Sequence, residues 1–278
     1  MRRLTHLAVF FILASAAWSQ QLQYQPVDQS TVVRRLNKFA GENFERALAL
    51  HQMFANAGCD GKNLIDLPIA DFKDPNVVCV LPGKTQQTII VGAHYDHVPG
   101  SLGVVDNWSG AALLPSLFES LKDTPRDHTY IFVGFAGGES EDAGSLSYAS
   151  HLTKQQRGLV AGVINVESLG LTPPKAWVKK GDKRLADALF KVSEEVKIPV
   201  TNVDMPESTD SESFRQNKMP VLTIHSLTQQ AWNAKAIHGA QDQLTAMNLG
   251  LYYDSYKLVS AFLAYLDAPP AATAQSGK

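Results

Sequence analysis

The chain is poor in cysteine, carries no excess of charge of either sign, and beyond its first residues has no apolar run of membrane-spanning length. Its two cysteines, Cys59 and Cys79, permit at most one internal disulfide, closing a loop of twenty residues. Two buried free thiols are the equal alternative, because cysteine is among the most buried residue types. With 25 Lys and Arg against 27 Asp and Glu, the formal net charge is -2. That balance suggests neither nucleic acid nor an acidic membrane surface as a partner. No internal repeat is visible. What remains is an ordinary globular composition, 45% hydrophobic over 278 residues, and one α/β domain can occupy that length.

The start of the chain reads as a targeting segment. Met1-Arg2-Arg3 is basic, Leu7 to Ala17 is apolar, and Ala17-Trp18-Ser19 puts small residues where a signal peptidase reads. This pattern predicts cleavage before Gln20 and export to a secreted or periplasmic location. The apolar stretch is short for a bilayer span, which takes about 20 residues, and an uncleaved anchor is the alternative. The chain then divides into a signal peptide (1–19), one folded domain (20–268) and a disordered tail (269–278) rich in Ala, Pro, Gln and Ser. No stable membrane insertion is expected of the folded part.

Within that domain, helical and strand patterns alternate. A helix is predicted over 30–57, capped by Ser30 or Thr31 and ended by Gly58. Its apolar stripe is Val33, Leu36, Phe39, Phe44, Ala47, Leu48, His51 and Phe54, interrupted at Gly41. Val77 to Leu81 is a strand, and Pro82-Gly83-Lys84 turns it into the strand beginning at Thr88, which suggests an antiparallel pair at one sheet edge. Further helices are predicted over 111–122, 145–155, 182–196 and 248–266, and further strands over 128–135, 160–166, 200–203 and 221–225.

The chemistry gathers where strands end. Thr88-Ile89-Ile90-Val91 is a buried strand that delivers His94-Tyr95-Asp96-His97, followed by Asp106-Asn107-Trp108-Ser109-Gly110 at the entry to a helix. In an open α/β sheet, ligands bind at the carboxyl ends of strands. A metal-bound histidine usually donates its other ring N–H to a partner such as Asp96. A lone His-x-Asp is more often a satisfied structural histidine, so the weight lies on the acidic residues and the histidine further along the chain. The strand ending at Phe135 runs into Gly138-Glu139-Ser140-Glu141-Asp142, and the strand from Val160 ends in Glu167. Glu141 and Asp142 by themselves read as a solvated loop, whereas Glu139 reads as a metal carboxylate. His238-Gly239-Ala240-Gln241-Asp242 comes late in the chain.

In order and spacing these segments resemble metallopeptidase family 28, the co-catalytic zinc exopeptidases related to bacterial leucyl aminopeptidases, glutamate carboxypeptidase and glutaminyl cyclase. The resemblance covers roughly Val77 to Leu266. It rests on His94-Tyr95-Asp96, Asp106-Asn107-Trp108-Ser109-Gly110, Gly138 to Ser145, Asn165-Val166-Glu167 and His238 to Asp242, with Thr209 to Phe214 a weaker match. It implies an α/β fold, a three-layer α/β/α sandwich with a mixed, mostly parallel central sheet, acting on peptide substrates. It also implies two Zn2+ ions per chain. Asp106 would bridge them, with Glu139 and His238 completing one site, His94 and Glu167 the other, and Asp96 and Asp242 supporting the ligands from behind. Zinc takes such nitrogen and oxygen donors and keeps a position open for water in catalytic sites.

Two positions depart from the family pattern. Glu167 stands where Asp is more usual, an extension of about 1.5 Å by one C–C bond. Gly138 stands where the family has its general base, and Gly144-Ser145 fixes that alignment without a gap. A positioned base contributes roughly 10²–10⁴-fold, so a slow enzyme or none is expected unless Glu141, the expected substitute, or Asp142 reaches the water. On the sequence alone, Gly138→Glu is expected to restore that factor. A metal-binding but catalytically silent peptide-binding homologue is one alternative, and a glutaminyl-cyclase-like acyltransferase with a single zinc is another. The loops Met205 to Asp210 and Gln229 to Ala236 are the segments expected to select the terminal side chain; Trp232 and Trp108 are candidate pocket walls, although buried or surface packing is the commoner role of a single Trp. N-terminal sequencing of the exported protein should read from Gln20; a first residue of Met1 would establish the anchor instead.

Overall fold

The computed structural model describes residues 22–39 and 41–267, so the expected signal peptide and tail lie outside the described residues. Along the chain come α1 (Gln29–Leu36), α2 (Asn43–Ala57), β1 (Leu64–Leu67), β2 (Asn76–Leu81), β3 (Thr88–His94), α3 (Ser109–Leu121), β4 (Thr129–Phe135), α4 (Ala143–His151) and α5 (Lys154–Leu159). They are followed by β5 (Val160–Glu167), β6 (Lys175–Ala176), α6 (Lys183–Val196), β7 (Thr201–Asn202), α7 (Ser211–Gln216), β8 (Val221–His225), α8 (Gln229–Asn233) and α9 (Leu249–Asp267). One sheet takes all eight strands in the order β1-β2-β4-β3-β5-β8-β6-β7. The run β4-β3-β5-β8 is parallel, as is β6/β7, while β1/β2, β2/β4 and β6/β8 are antiparallel. The sheet is therefore mixed and mostly parallel, as expected.

Alternation along the strands sorts side chains into two layers, because successive residues of a strand point to opposite faces. Ile89, Val91 and Ala93 of β3, with Tyr130 and Phe132 of β4, enter one buried cluster with residues of α1, α2, α3, α6 and α9. Ile90 and Val133 enter a second cluster with Phe135, Ala149 of α4 and Phe214 of α7. Apolar residues on both faces of the central strands leave that part of the sheet covered by helices on each side, the burial expected of parallel strands.

Connectivity places the site. From β3 the chain passes through α3 to β4 on one side, then returns through α4 and α5 to β5 on the other side of β3. A chain that reverses its direction of travel at one strand opens a crevice at the carboxyl ends of the strands around it. β3 and β5 end in His94 and Glu167 at that crevice.

Several sequence expectations are corrected. The helix predicted over 30–57 is two helices separated around Gly41, each with its own start signal. Asp28, rather than Ser30 or Thr31, caps α1, its Oδ1 accepting from Thr31 N at 2.9 Å. At the start of α2, Glu42 N donates to Glu45 Oε2 at 3.3 Å. The break resets the helical register, so Phe44 and Leu48 are exposed while Ala47, Leu50 and Phe54 are buried. The helix predicted over 145–155 is likewise two, with Thr153 capping α5 through Gln156 N at 3.2 Å. β2 and β3 do not pair with each other. The α3 crossover returns β4 into the slot between them, where it gains a ladder on each edge. The 82–87 connection passes under the entry to β4, with Lys84 N and Thr85 N donating to Arg126 O and Asp127 O at 3.2 and 2.8 Å.

Among the described residues no helix is long and apolar enough to cross a membrane. Cys59 and Cys79 form a disulfide that ties the end of α2 to β2, which decides between the two readings of those residues. Closing a loop of this separation, 20 residues, removes unfolded-state entropy worth about 3 kcal/mol in the chain-entropy picture. Replacing both cysteines with serine is expected to lower the unfolding free energy by about that amount, measured by denaturant titration. Equal stabilities with and without the bond would contradict it.

Candidate metal centre

Five segments bring ligand-type side chains into the crevice. Asp106 is the hinge of the arrangement, because its two oxygens face different imidazoles. Its Oδ1 lies 3.3 Å from His94 Nε2 and its Oδ2 lies 2.8 Å from His238 Nε2. His94 Nε2 is also 3.4 Å from Glu167 Oε1, and His238 Nε2 is 3.3 Å from Glu139 Oε2. Two three-residue groups result, His94-Asp106-Glu167 and Asp106-Glu139-His238, with the donor atoms of each within 4.8 Å of one another. The structure thus brings together all five residues singled out in the sequence as metal ligands.

The local sequence explains how a carboxylate is held there. Asp106 sits in the irregular turn 104–108, and the Asp106–Asn107 peptide is cis. Asn107 clamps the turn to the end of β5, donating to Val166 O at 2.8 Å and accepting from Ser168 N and Gly110 N at 3.1 Å each. Ser109 Oγ donates to Val105 O at 2.6 Å and accepts from Leu169 N at 2.8 Å. Gly110 permits the approach, since a Cβ there would lie 2.4 Å from Val166 O. Asp242 accepts from Val105 N at 2.7 Å and holds the turn from the opposite side. Asp96 joins two strand ends: its oxygens accept from Gly138 N and Glu139 N at 2.8 and 3.1 Å, and Oδ1 lies 3.3 Å from His94 Nδ1.

One further group supports the turn from outside the expected motifs. Arg46 of α2 is buried and donates to Tyr95 O and Gly103 O at 3.0 and 3.2 Å, and also to Leu102 O. Its guanidinium lies 5.6 Å from the centroid of Trp108. Burial lowers its pKa to about 10, with Asp242 and Asp96 opposing, so it stays charged at neutral pH.

The electrostatics favour cations. Burial alone would lower the pKa of His94, but Glu167, Asp106 and Asp96 around the ring outweigh it and raise the value. Hydrogen bonds to Asp106 and Glu139 push His238 up to about 11. Burial opposes ionisation of Asp106, yet His238 and His94 hold its pKa below the usual carboxylate range. Glu167 is pushed up to about 7 by burial, which His94 only partly offsets, and Asp242 reaches about 7 through burial and the charge of Asp106. Glu139 Oε1 and Glu167 Oε1 are buried with no hydrogen-bond partner among the described residues. A buried unsatisfied polar group costs about 1–3 kcal/mol, more when charged. Histidine nitrogens and carboxylate oxygens, with free lone pairs aimed inward, fit divalent cations such as zinc.

The enclosed cavity between these groups is small, about 50 Å³, and is also lined by Gly138, Asp142, Met205, Glu207, Ser208 and Thr209. Glu141, the expected substitute base, is exposed and does not line it. The expectation for Gly138 is corrected too. Its φ is not positive, but a Cβ built there would lie 2.2 Å from His94 Cγ and 2.5 Å from His94 Cβ. A carboxylate at this position would displace the imidazole, which overturns the expectation that Gly138→Glu restores activity. Trp108 is wholly buried and donates to Leu36 O at 2.8 Å, so it packs against α1 and walls neither the cavity nor the groove beside His238. Trp232 lies beside His238, with ring centroids 5.7 Å apart. Glu207 joins the site although nothing in the sequence distinguishes it from its polar loop; its Oε1 is 3.8 Å from His238 Nε2. Burial and the charge of Asp106 push it up to about 7. A far larger groove of about 1040 Å³ lies at the other ends of the strands, against α6 and α9, away from these residues.

Comparison with known proteins bears on the family and the fold. The family model described as peptidase family M28 matches residues 76–263. Aminopeptidase YwaD of Bacillus subtilis (strain 168) is 32% identical over 93 residues, 34% of this chain and 20% of that protein. The chain therefore aligns with only a minor part of that curated relative. Among solved structures, the Legionella pneumophila LapA aminopeptidase superposes with a TM-score of 0.72 at 20% identity, covering 86% of this chain and 71% of that one. BSAP, a zinc aminopeptidase from Bacillus subtilis, gives 0.63 at 19% identity, covering 69% and 50%. A glutaminyl cyclase from Fimbriiglobus ruber gives 0.73 at 16% identity, covering 88% and 98%. At these identities the structural likeness is one of fold. The family match spans well over half of the residues, and the chain belongs to peptidase family M28.

Proposed function

We propose that the protein is an exported, zinc-dependent exopeptidase of the aminopeptidase type, with two zinc ions per chain. The observation that carries the reading is Asp106, whose two oxygens serve two separate donor groups. In this reading His94, Asp106 and Glu167 would hold one zinc, and Asp106, Glu139 and His238 the other. Bound there, two divalent cations supply a water of lowered pKa and polarisation of the scissile carbonyl. The chain's own residues do the rest. Asp96 and Asp242 fix the ligand-bearing turns, and His94, Asp106 and Glu167 are buried while His238 stays partly open to solvent. The small chamber ends in the loop carrying Met205, and a groove of about 450 Å³ lined by Trp232, Asn233, Lys235, Ile237 and His238 adjoins it. The chamber has room for the cations and their water, and the groove takes the terminal residue of the peptide. Because Gly138 carries no side chain, the general base is drawn from elsewhere in the chain.

A glutaminyl-cyclase-like acyl transfer is the second reading, favoured by the near-complete coverage of the Fimbriiglobus ruber protein. The donor pair His94 and Glu167 favours the first, since a second cation has a place to bind.

The metal assignment predicts about two zinc ions per chain by elemental analysis, and none retained by Asp106→Asn. Gly138→Ala is expected to lower zinc content by displacing His94, whereas an unchanged content would contradict that contact. On activity, zinc-loaded protein is expected to release the chromophore from aminoacyl substrates and to stop on chelation. Ammonia release from an N-terminal glutamine peptide with one zinc per chain would favour the cyclase reading. Two zinc ions with neither reaction would mark a silent homologue.

A further inference from the structure

We propose that Glu207, on the loop between β7 and α7, is the catalytic carboxylate of the centre, doing the work for which position 138 has no side chain. The inference rests on the reading of the centre as a metal-dependent peptidase.

Elimination within the cavity leads to it. Gly138 has no room for a side chain, because His94 occupies the space a Cβ would need. Asp106, Glu139 and Glu167 are each assigned to hold a cation in that reading. Glu141 is exposed outside the cavity. Asp142 lines the cavity, but its Oδ2 accepts from Ser208 Oγ at 3.4 Å, and it faces no candidate ligand at ion-pair distance among the described residues. Glu207 lines the same cavity, makes no hydrogen bond among the described residues, and brings Oε1 to 3.8 Å from His238 Nε2. That separation is too long for a hydrogen bond and leaves the carboxylate lone pairs free. Its side chain is about one-third exposed, at 33%. It therefore reaches both the chamber and the solvent from which water and peptide arrive.

The step balances without another reactant. Glu207 takes a proton from the attacking water as its oxygen bonds to the carbonyl carbon. The carbon–nitrogen bond then breaks, and Glu207 returns the proton to the departing amine. One water is consumed, and a free carboxylate and a free amine result. The loop position is also consistent with reach: Met205 and Thr209 are buried on either side and pin the loop, while Glu207 between them overhangs the chamber.

The test compares full-length zinc-loaded wild type, Glu207→Gln, Glu207→Asp and Asp142→Asn on one aminoacyl chromogenic substrate, with zinc content measured for each. Glu207→Gln is expected to keep its zinc and its KM and to lose roughly 10²–10⁴-fold in kcat. Glu207→Asp is expected to recover part of that loss, which a merely structural role would not produce. Loss of zinc in Glu207→Gln would make Glu207 a metal ligand and overturn the proposal. So would a wild-type kcat in that variant, or a loss confined to Asp142→Asn. A wild type that binds two zinc ions and hydrolyses nothing would instead overturn the peptidase reading, and this proposal with it.

Discussion

The structure turns on a buried carboxylate that must offer its two oxygens in two directions. Asp106 lies at the edge of the hydrophobic core, where an unpaired charge is costly, and it is tolerated because an imidazole faces each oxygen. Holding that geometry takes more than the ligands. Asn107 and Ser109 fasten the turn to the end of β5, Asp242 fastens it from the other side, and Arg46 grips the loop just before it. Most of the polar side chains buried around the turn are spent on fixing backbone rather than on ligation.

The same economy explains Gly138. Asp96 accepts hydrogen bonds from the backbone of Gly138 and Glu139, drawing that loop close against the His94 ring. The closeness delivers Glu139 to its place and removes the volume in which a side chain at 138 would sit. One contact thus sets the place of Glu139 and leaves no volume for a side chain at 138.

How much of the molecule is legible in its sequence depends on how local each feature is. The ligand-type residues are legible because they stand at strand ends and in fixed spacing, and both are properties of the local chain. The central strands are legible because continuous apolar runs mark burial on both faces. Strand order is not. Pro82-Gly83-Lys84 looks like a hairpin turn, and only the return of β4 through α3 separates β2 from β3. The break at Gly41 is masked because an apolar stripe can be drawn straight through it, though α2 restarts the register. Glu207 cannot be found from its neighbours at all, since its place is set by where a loop crosses the site. Glu141 stands two residues from Glu139, which reaches the centre, and still faces away, because adjacency along a turn does not fix direction.

The extent of the family match, residues 76–263, invites treating that segment as the working unit, and the arrangement of α2 argues otherwise. Arg46 lies outside the matched segment, yet its guanidinium fixes the loop that leads into Asp106. Leu36 of α1 receives the indole N–H of Trp108, and Cys59 anchors the same N-terminal part to β2. The boundary of recognisable ancestry and the boundary of mechanical support therefore fall in different places. A fragment trimmed to the shared segment would keep every residue that makes the family recognisable and discard part of the frame that makes them a centre.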